Sequence, residues 1–196
     1  MSLSYKVISV GLQGLTPLMF DRYPGDNDTE LDVGEKMYLA DDGRTLVLPR
    51  ANIYSFLTAE NTTSAPKAIF DSRAYKGKIL QIRAYVVLPT ADVPITREGK
   101  PIEFGGFKND VDKGAGMRVH RAVARLAKGV PNPKIRPVLD LPWDVAFEIK
   151  LFENPDIRPG TLLELFEKGG LMVGFGTYRG MYGKFLVNRW DVAEGE

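Results

Sequence analysis

Apolar residues recur along this chain with two different periods. Residues 5–12, Tyr-Lys-Val-Ile-Ser-Val-Gly-Leu, alternate with β-branched side chains and predict a first strand. Met37-Tyr38-Leu39-Ala40 and Thr45-Leu46-Val47-Leu48 flank Asp41-Asp42-Gly43-Arg44. That pattern predicts a hairpin, because Asp-Gly supplies the positive φ a tight turn needs. Beyond Pro49, Ile53, Phe56 and Leu57 recur at i, i+3 and i+4 and predict a short amphipathic helix over about 50–60. Residues 61–67 read as loop. Lys78 to Leu88 is rich in branched apolar residues, stops at Pro89, and predicts the strongest strand of the chain.

A second hairpin is expected over 93–104, turning at Glu98-Gly99-Lys100, before a glycine-rich polar stretch over 105–117. The basic segment that follows reads either as a helix or as a strand over 117–128. It ends in Gly129-Val130-Pro131-Asn132-Pro133, which predicts no regular element. Asp144–Phe152 predicts a strand. Leu162, Leu163, Leu165 and Phe166 predict a helix over about 160–168, stopped at Gly169-Gly170, and Lys184–Trp190 predicts the last strand. Strand, helix, strand, long insertion, strand, helix, strand is the split βαβ order of an α+β, ferredoxin-like fold. On this reading 1–89 and 139–196 form one domain and 90–138 is inserted into it.

Charge changes the picture more than length does. The 196 residues suit one domain, and the net charge is only +1, from 26 Lys+Arg against 25 Asp+Glu. Residues 21–42, however, hold eight acids and two bases. Residues 113–139 hold Lys113, Arg118, Arg121, Arg125, Lys128, Lys134 and Arg136 with no acid among them. There is no cysteine, which removes thiolate metal sites, thiol nucleophiles and disulfides and fits a cytoplasmic setting. No apolar run approaches the roughly 18 residues of a membrane span, and the first residues lack a signal-peptide pattern. No metal site and no cofactor are expected.

Three groups of residues carry candidate chemistry. Near the C-terminus, Gly174, Gly176, Gly180 and Gly183 are interleaved with Tyr178, Arg179, Tyr182 and Lys184. Glycines let another backbone approach closely and leave N–H groups for an anion, while rings and cations suit a sugar–phosphate chain with its bases. A tight turn of structural glycines is the alternative. The glycines follow a helix and do not open one, so this is no dinucleotide fingerprint.

In the basic segment, Arg118, Arg121, Arg125 and Lys128 share a stripe if it is helical. If it is extended, Arg121 and Arg125 share a face with Val119 and Val123. Phosphate contacts are one use, and a solvated face pairing with the acids of 21–42 is the other. His120, the only histidine, is both a nucleic-acid contact candidate and the single candidate imidazole base. Asp21 and Asp26 open the acidic loop. They would serve metal-assisted chemistry only if two or three acids converged, and no calcium-loop spacing is present.

Together these parts resemble the RAMP superfamily, the repeat-associated proteins of CRISPR effector complexes, and especially its backbone subunits. The matching features are the split βαβ order, the basic insertion, and Gly174-x-Gly176-x-x-x-Gly180-x-x-Gly183 before the last strand. Gly14-Leu15-Thr16-Pro17-Leu18-Met19-Phe20 and Leu48-Pro49-Arg50-Ala51-Asn52-Ile53 look like phage-encoded relatives of that group. The resemblance implies a palm with a thumb-like insertion, assembling head to tail along single-stranded RNA. Arg118, Arg121 and Arg125 would then be thumb contacts, and Tyr178, Arg179 and Lys184 would line the palm.

The expectation is a non-enzymatic subunit binding single-stranded RNA, or single-stranded DNA second, as a homo-oligomer or part of a ribonucleoprotein. An endoribonuclease using His120 or Asp21/Asp26 is one alternative. A phage assembly protein whose opposed charges drive head-to-tail association is the other.

Overall fold

The computed structural model describes residues 4–195 apart from 27, 72 and 126–130. The first half runs β1 (Tyr5–Gly14), β2 (Leu18–Met19), a 3-10 turn over Val33–Lys36, β3 (Val47–Leu48), α1 (Arg50–Thr58), α2 (Ala65–Ile69), α3 (Ala74–Tyr85) and β4 (Val86–Val87). The second half runs β5 (Val93–Arg97), β6 (Lys100–Pro101), β7 (Val111–Asp112), β8 (Met117–Arg125), β9 (Pro131–Leu139), β10 (Asp144–Phe152), α4 (Pro159–Met172) and β11 (Phe185–Glu194).

In the main sheet β1 lies between β11 and β10, and the outer edge of β10 is shared by β4 at Val86–Val87 and β5 at Ile95–Thr96. Every neighbour is antiparallel. Taken through β1, β4, β10 and β11, the order across the sheet is fourth, first, third, second. This is the expected α+β ferredoxin-like arrangement.

Strand β10 shows what sets the register. Val145, Phe147, Ile149 and Leu151 are buried, while Ala146, Glu148 and Lys150 are exposed. A one-residue slip would turn all four apolar side chains to solvent, each worth roughly 1.5–3 kcal/mol when buried. They pack with Ile8, Val10 and Leu12 of β1 under the helices, where Phe56 of α1 and Phe166 of α4 meet at 5.3 Å.

The hairpins at Gly43 and Gly99, α1, and the strands over β10 and β11 stand as expected. Four expectations are corrected. Residues 78–85 are helix, and only Val86–Val87 pair as strand. Ile79 and Ile82 are buried three apart while Leu80 between them is 62% exposed, so the period is helical despite the β-branched composition. The loop expected over 61–67 contains the start of α2, with Pro66 in its first turn, where a missing N–H costs nothing.

Helix α4 does not stop at Gly169-Gly170 but runs to Met172. A Cβ on Gly169 would strike Ala65 and Phe56, and one on Gly170 would strike Phe185, so these glycines serve close packing. The helix ends instead at Gly174, with φ +75 and its N–H on the Gly169 carbonyl.

The fourth correction concerns the end of the basic segment. Of its two alternatives the segment takes the extended one through β8, and Pro131-Asn132-Pro133, where no regular element was expected, open strand β9 (129–130 lie outside the described residues). Facing β8 across the ladder, Pro137, Pro133 and Pro131 stand opposite Val119, Val123 and Arg125. Residues at these alternate positions direct their backbone groups away from β8, so proline's missing N–H interrupts no ladder bond. The outward carbonyls find other donors: Pro137 accepts from the Phe20 amide at 3.0 Å and Ile135 from Lys36 Nζ at 3.0 Å. Strands β2, β9, β8 and β7 form the second sheet, in that order. Within 90–138, therefore, β5 and β6 join the main sheet and β7–β9 build the projecting arm.

Candidate nucleic-acid interface

The β8–β9 register sorts the arm into two faces. His120 stands opposite Arg136, Ala122 opposite Lys134, and Arg118 opposite Val138. Arg121 stands opposite Ile135 and Val123 opposite Pro133, giving the other face an apolar character; Val123 is 61% exposed. Side chains alternate across a strand, so Arg121 shares a face with Val119 and Val123 as the extended alternative implies, and the stripe of Arg118 with Arg121 that a helix would have given does not form. Arg118, His120, Lys134 and Arg136 share one face, and Arg121 lies on the reverse. Arg125 closes β8, and Lys128 lies outside the described residues.

The charges are less bare than the sequence window suggests. Asp110 and Asp140 lie just outside 113–139, and the fold returns them to it. Arg118 donates from Nε to Asp140 at 3.0 Å, and Arg121 grips both oxygens of Asp110. Arg136 donates from Nε to Asp21 at 2.7 Å. Among the described residues Lys113, Lys134 and Lys184 make no ion pair.

The glycine-rich loop lies against β2 and the start of β11. A Cβ on Gly174 would meet the Gly183 carbonyl, one on Gly176 the Met19 carbonyl, and one on Gly183 the Phe175 carbonyl. All three, and Gly180, have positive φ. None of their amides is left for an anion. Gly174 donates to Gly169, Gly176 to Asn52 Oδ1 at 3.0 Å, Gly180 to Val173, and Gly183 to Pro17. The close approach expected of these glycines is therefore made to the chain's own backbone, and the expected free N–H donors are absent.

Arg179 is likewise committed. It donates to the Thr63 carbonyl at 2.9 Å, to Ser55 Oγ and to the Gly176 carbonyl, and its burial pushes the guanidinium pKa down. It ties the loop to α1 and to the turn before α2. A cleft of about 230 Å³ lies beside it, walled by Tyr38, Asn52, Ser55 and Thr177. Burial pushes the Tyr38 phenol up.

What the loop does present is its aromatic tip. Tyr178 is exposed at φ +57 and meets Tyr182 edge-on at 6.2 Å. Tyr182 in turn lies 6.0 Å from the His120 ring. The tip of the loop and the polar face of the arm therefore meet in space, although about 60 residues separate them in the chain. Lys184 starts the exit from this tip, its amide held by Thr16 Oγ1 and its carbonyl taking the Leu15 amide. Asn52, Thr16, Asp110 and Asp140 are the residues sequence reasoning missed. Only the last two carried a signal, as acids flanking the basic window.

The acidic candidates for catalysis are engaged within the chain. Asp21 is tied to Arg136, and Asp26 is turned into its own loop, accepting from the amides of Asp28 and Thr29 and from the Thr29 hydroxyl. The Thr29 bonds hold the Asp26 carboxyl below its ordinary value. Among the described residues no three His, Asp or Glu side chains converge as a metal site, and no helix is long and apolar enough to cross a membrane.

No family model and no curated protein sequence matches this chain. Among solved structures, a chain of the type III-B Cmr-beta complex, solved by cryo-EM bound to cognate target RNA, superposes with a TM-score of 0.61 at 11% identity. The match covers 97% of this chain and 61% of that one, so this chain spans less than two thirds of its neighbour's length. The likeness shows the architecture alone, a ferredoxin-like α+β fold.

Proposed function

We propose that this chain is a RAMP-type, non-enzymatic subunit that binds single-stranded RNA in the cytoplasm. On this reading it assembles along the strand with further copies or other subunits, as a palm carrying an arm inserted within 90–138. The observation that carries the reading is the meeting of Tyr178 and Tyr182 with the His120–Arg136 face of the arm. Rings supply sequence-tolerant stacking and the neighbouring cations track phosphates, a combination suited to a single strand and not to base-edge readout. Lys113, Lys134 and Lys184 are the cations open to phosphate. Arg118, Arg121 and Arg136 would exchange carboxylate partners for phosphate, and Arg125 at the end of β8 adds a further basic residue, with Lys128 next in the same basic stretch of the sequence. The solved neighbour's presence in a complex with target RNA supports RNA over DNA. The pairing of Asp21 with Arg136 and the inward turn of Asp26 favour binding without cleavage.

Anisotropy of labelled single-stranded RNA tests this with nucleic-acid-free protein. We expect binding at about 50 mM salt that weakens steeply as salt rises. Lys134→Glu with Lys184→Glu should weaken it about tenfold or more and flatten the salt slope by about two. No binding by the wild type at about 50 mM salt overturns the proposal. Cleavage of the RNA with or without Mg²⁺ overturns its non-enzymatic part.

A further inference from the structure

The acidic loop after β2 lies along the arm's own basic strand. Asp21 accepts from Arg136 at 2.7 Å, with the two side chains only 29% and 14% exposed. At the far end of the loop Lys36 is tied to the Ile135 carbonyl at 3.0 Å. Between these ties Asp26, Asp28 and Glu30 form one wall of a cavity of about 490 Å³, and Asn132, Pro133 and Lys134 form the other. The acids thus share a cavity with the edge of β9, where Lys134 makes no ion pair among the described residues.

We propose that Asp21, Asp26, Asp28 and Glu30 act together as an internal competitor for nucleic acid. The inference rests on the RNA-binding reading. Asp21 occupies the place where a phosphate would meet Arg136. The three carboxylates behind it lower the potential along the edge of β9 until a longer polyanion displaces them. A tethered loop competes at high effective concentration, which excludes short or weak anions. A long strand prevails because each phosphate it adds releases counterions and the loop's few carboxylates do not. The separated charges of the sequence thus face one another within a single molecule.

The test compares the full chain with two triple variants of equal charge. Asp26→Asn, Asp28→Asn and Glu30→Gln neutralise the loop while keeping the oxygen that accepts the Thr29 amide. Glu153→Gln, Asp156→Asn and Glu167→Gln make the same change in the loop after β10 and on α4. Circular dichroism establishes that all three proteins are folded. The loop variant should bind single-stranded RNA about five- to tenfold tighter than wild type at about 50 mM salt, and the control less than about twofold tighter. Equal tightening in both variants, or none in the loop variant while the wild type binds, overturns the competitor and leaves the RNA reading standing. Absence of binding by the wild type removes the RNA reading and the competitor with it.

Discussion

The glycine-rich loop and the basic arm have similar promise as sequences and opposite roles as structures. Each has a composition that suits a phosphate chain. In the loop, three of the four glycines hold backbone against backbone, every glycine amide has an internal acceptor, and the arginine is anchored on three oxygens. At its tip Tyr178 and Met181 are exposed, with Tyr182 half-buried beside them. The arm has little core beyond its base: among its described residues Arg121, Ala122, Val123, Pro131, Pro133 and Ile135 are exposed. The loop is thus a structural clasp that carries two rings, and the arm is a charged surface with little packing of its own. Glycine content reports backbone proximity and says nothing of what the backbone approaches; charge reports what a surface can attract.

The sharpest way to break this comparison is within the loop. Gly183→Ala would place a Cβ against the Phe175 carbonyl at φ +72, where no flexible side chain can yield. We expect a loss of roughly 3 kcal/mol or more, or failure to fold. Gly180→Ala, at φ +87 with nothing nearer than 4.0 Å, should cost only about 1 kcal/mol. Urea unfolding of the two variants decides the matter: similar losses would show that the loop is not a clasp.

The arm is probed by its ion pairs. A double-mutant cycle on Asp21→Asn and Arg136→Gln should give a coupling of about 1–3 kcal/mol, because both partners are largely buried and each leaves the other unpaired. The same cycle on Asp110→Asn and Arg121→Gln, where the side chains are 51% and 57% exposed, should give about 0.2–1 kcal/mol. A larger coupling at Arg121 than at Arg136 would mean that the arm's reverse face is the packed one.

The smallest effect is in the acidic loop. The Asp26 carboxyl is held below its ordinary value of 3.8 by the Thr29 amide and hydroxyl and the Asp28 amide. A depressed carboxyl contributes order that is full above the unfolded value and is lost as pH falls through the folded one. The amide signals of Asp28 and Thr29 should therefore stay fixed from neutral pH down to about 4 and move only below it. A titration of these signals centred at or above the ordinary carboxyl value of 3.8 would show that these bonds do not form.

The core of the fold was legible because its signals are local and repetitive. The alternation through 144–152 and the Asp-Gly and Glu-Gly turns need only neighbouring residues to be read. Residues 78–85 were misread because β-branched composition outweighed the spacing of Ile79 and Ile82. The strand opening at Pro131 was missed because proline is tolerated only when its missing N–H faces away from the ladder, a matter of register. In the candidate site the rings and cations could be named in advance, but not their neighbours. Asp140 and Asp110 reach the arm through hairpin pairing, and Asp21 reaches Arg136 from 115 residues away.

By itself, the sequence determined the order of the core elements, the α+β class and the separation of acidic from basic segments. These follow from hydrophobic periodicity, turn chemistry and side-chain charge, which act over a few residues. Only the tertiary structure decided what each segment faces. It turned the glycine amides inward, split the arm's cations between two faces, set the tyrosine tip against His120, and laid the acidic loop along its own basic strand. Such contacts depend on strand register and on which surfaces the core leaves exposed, and both are set by packing across the whole chain.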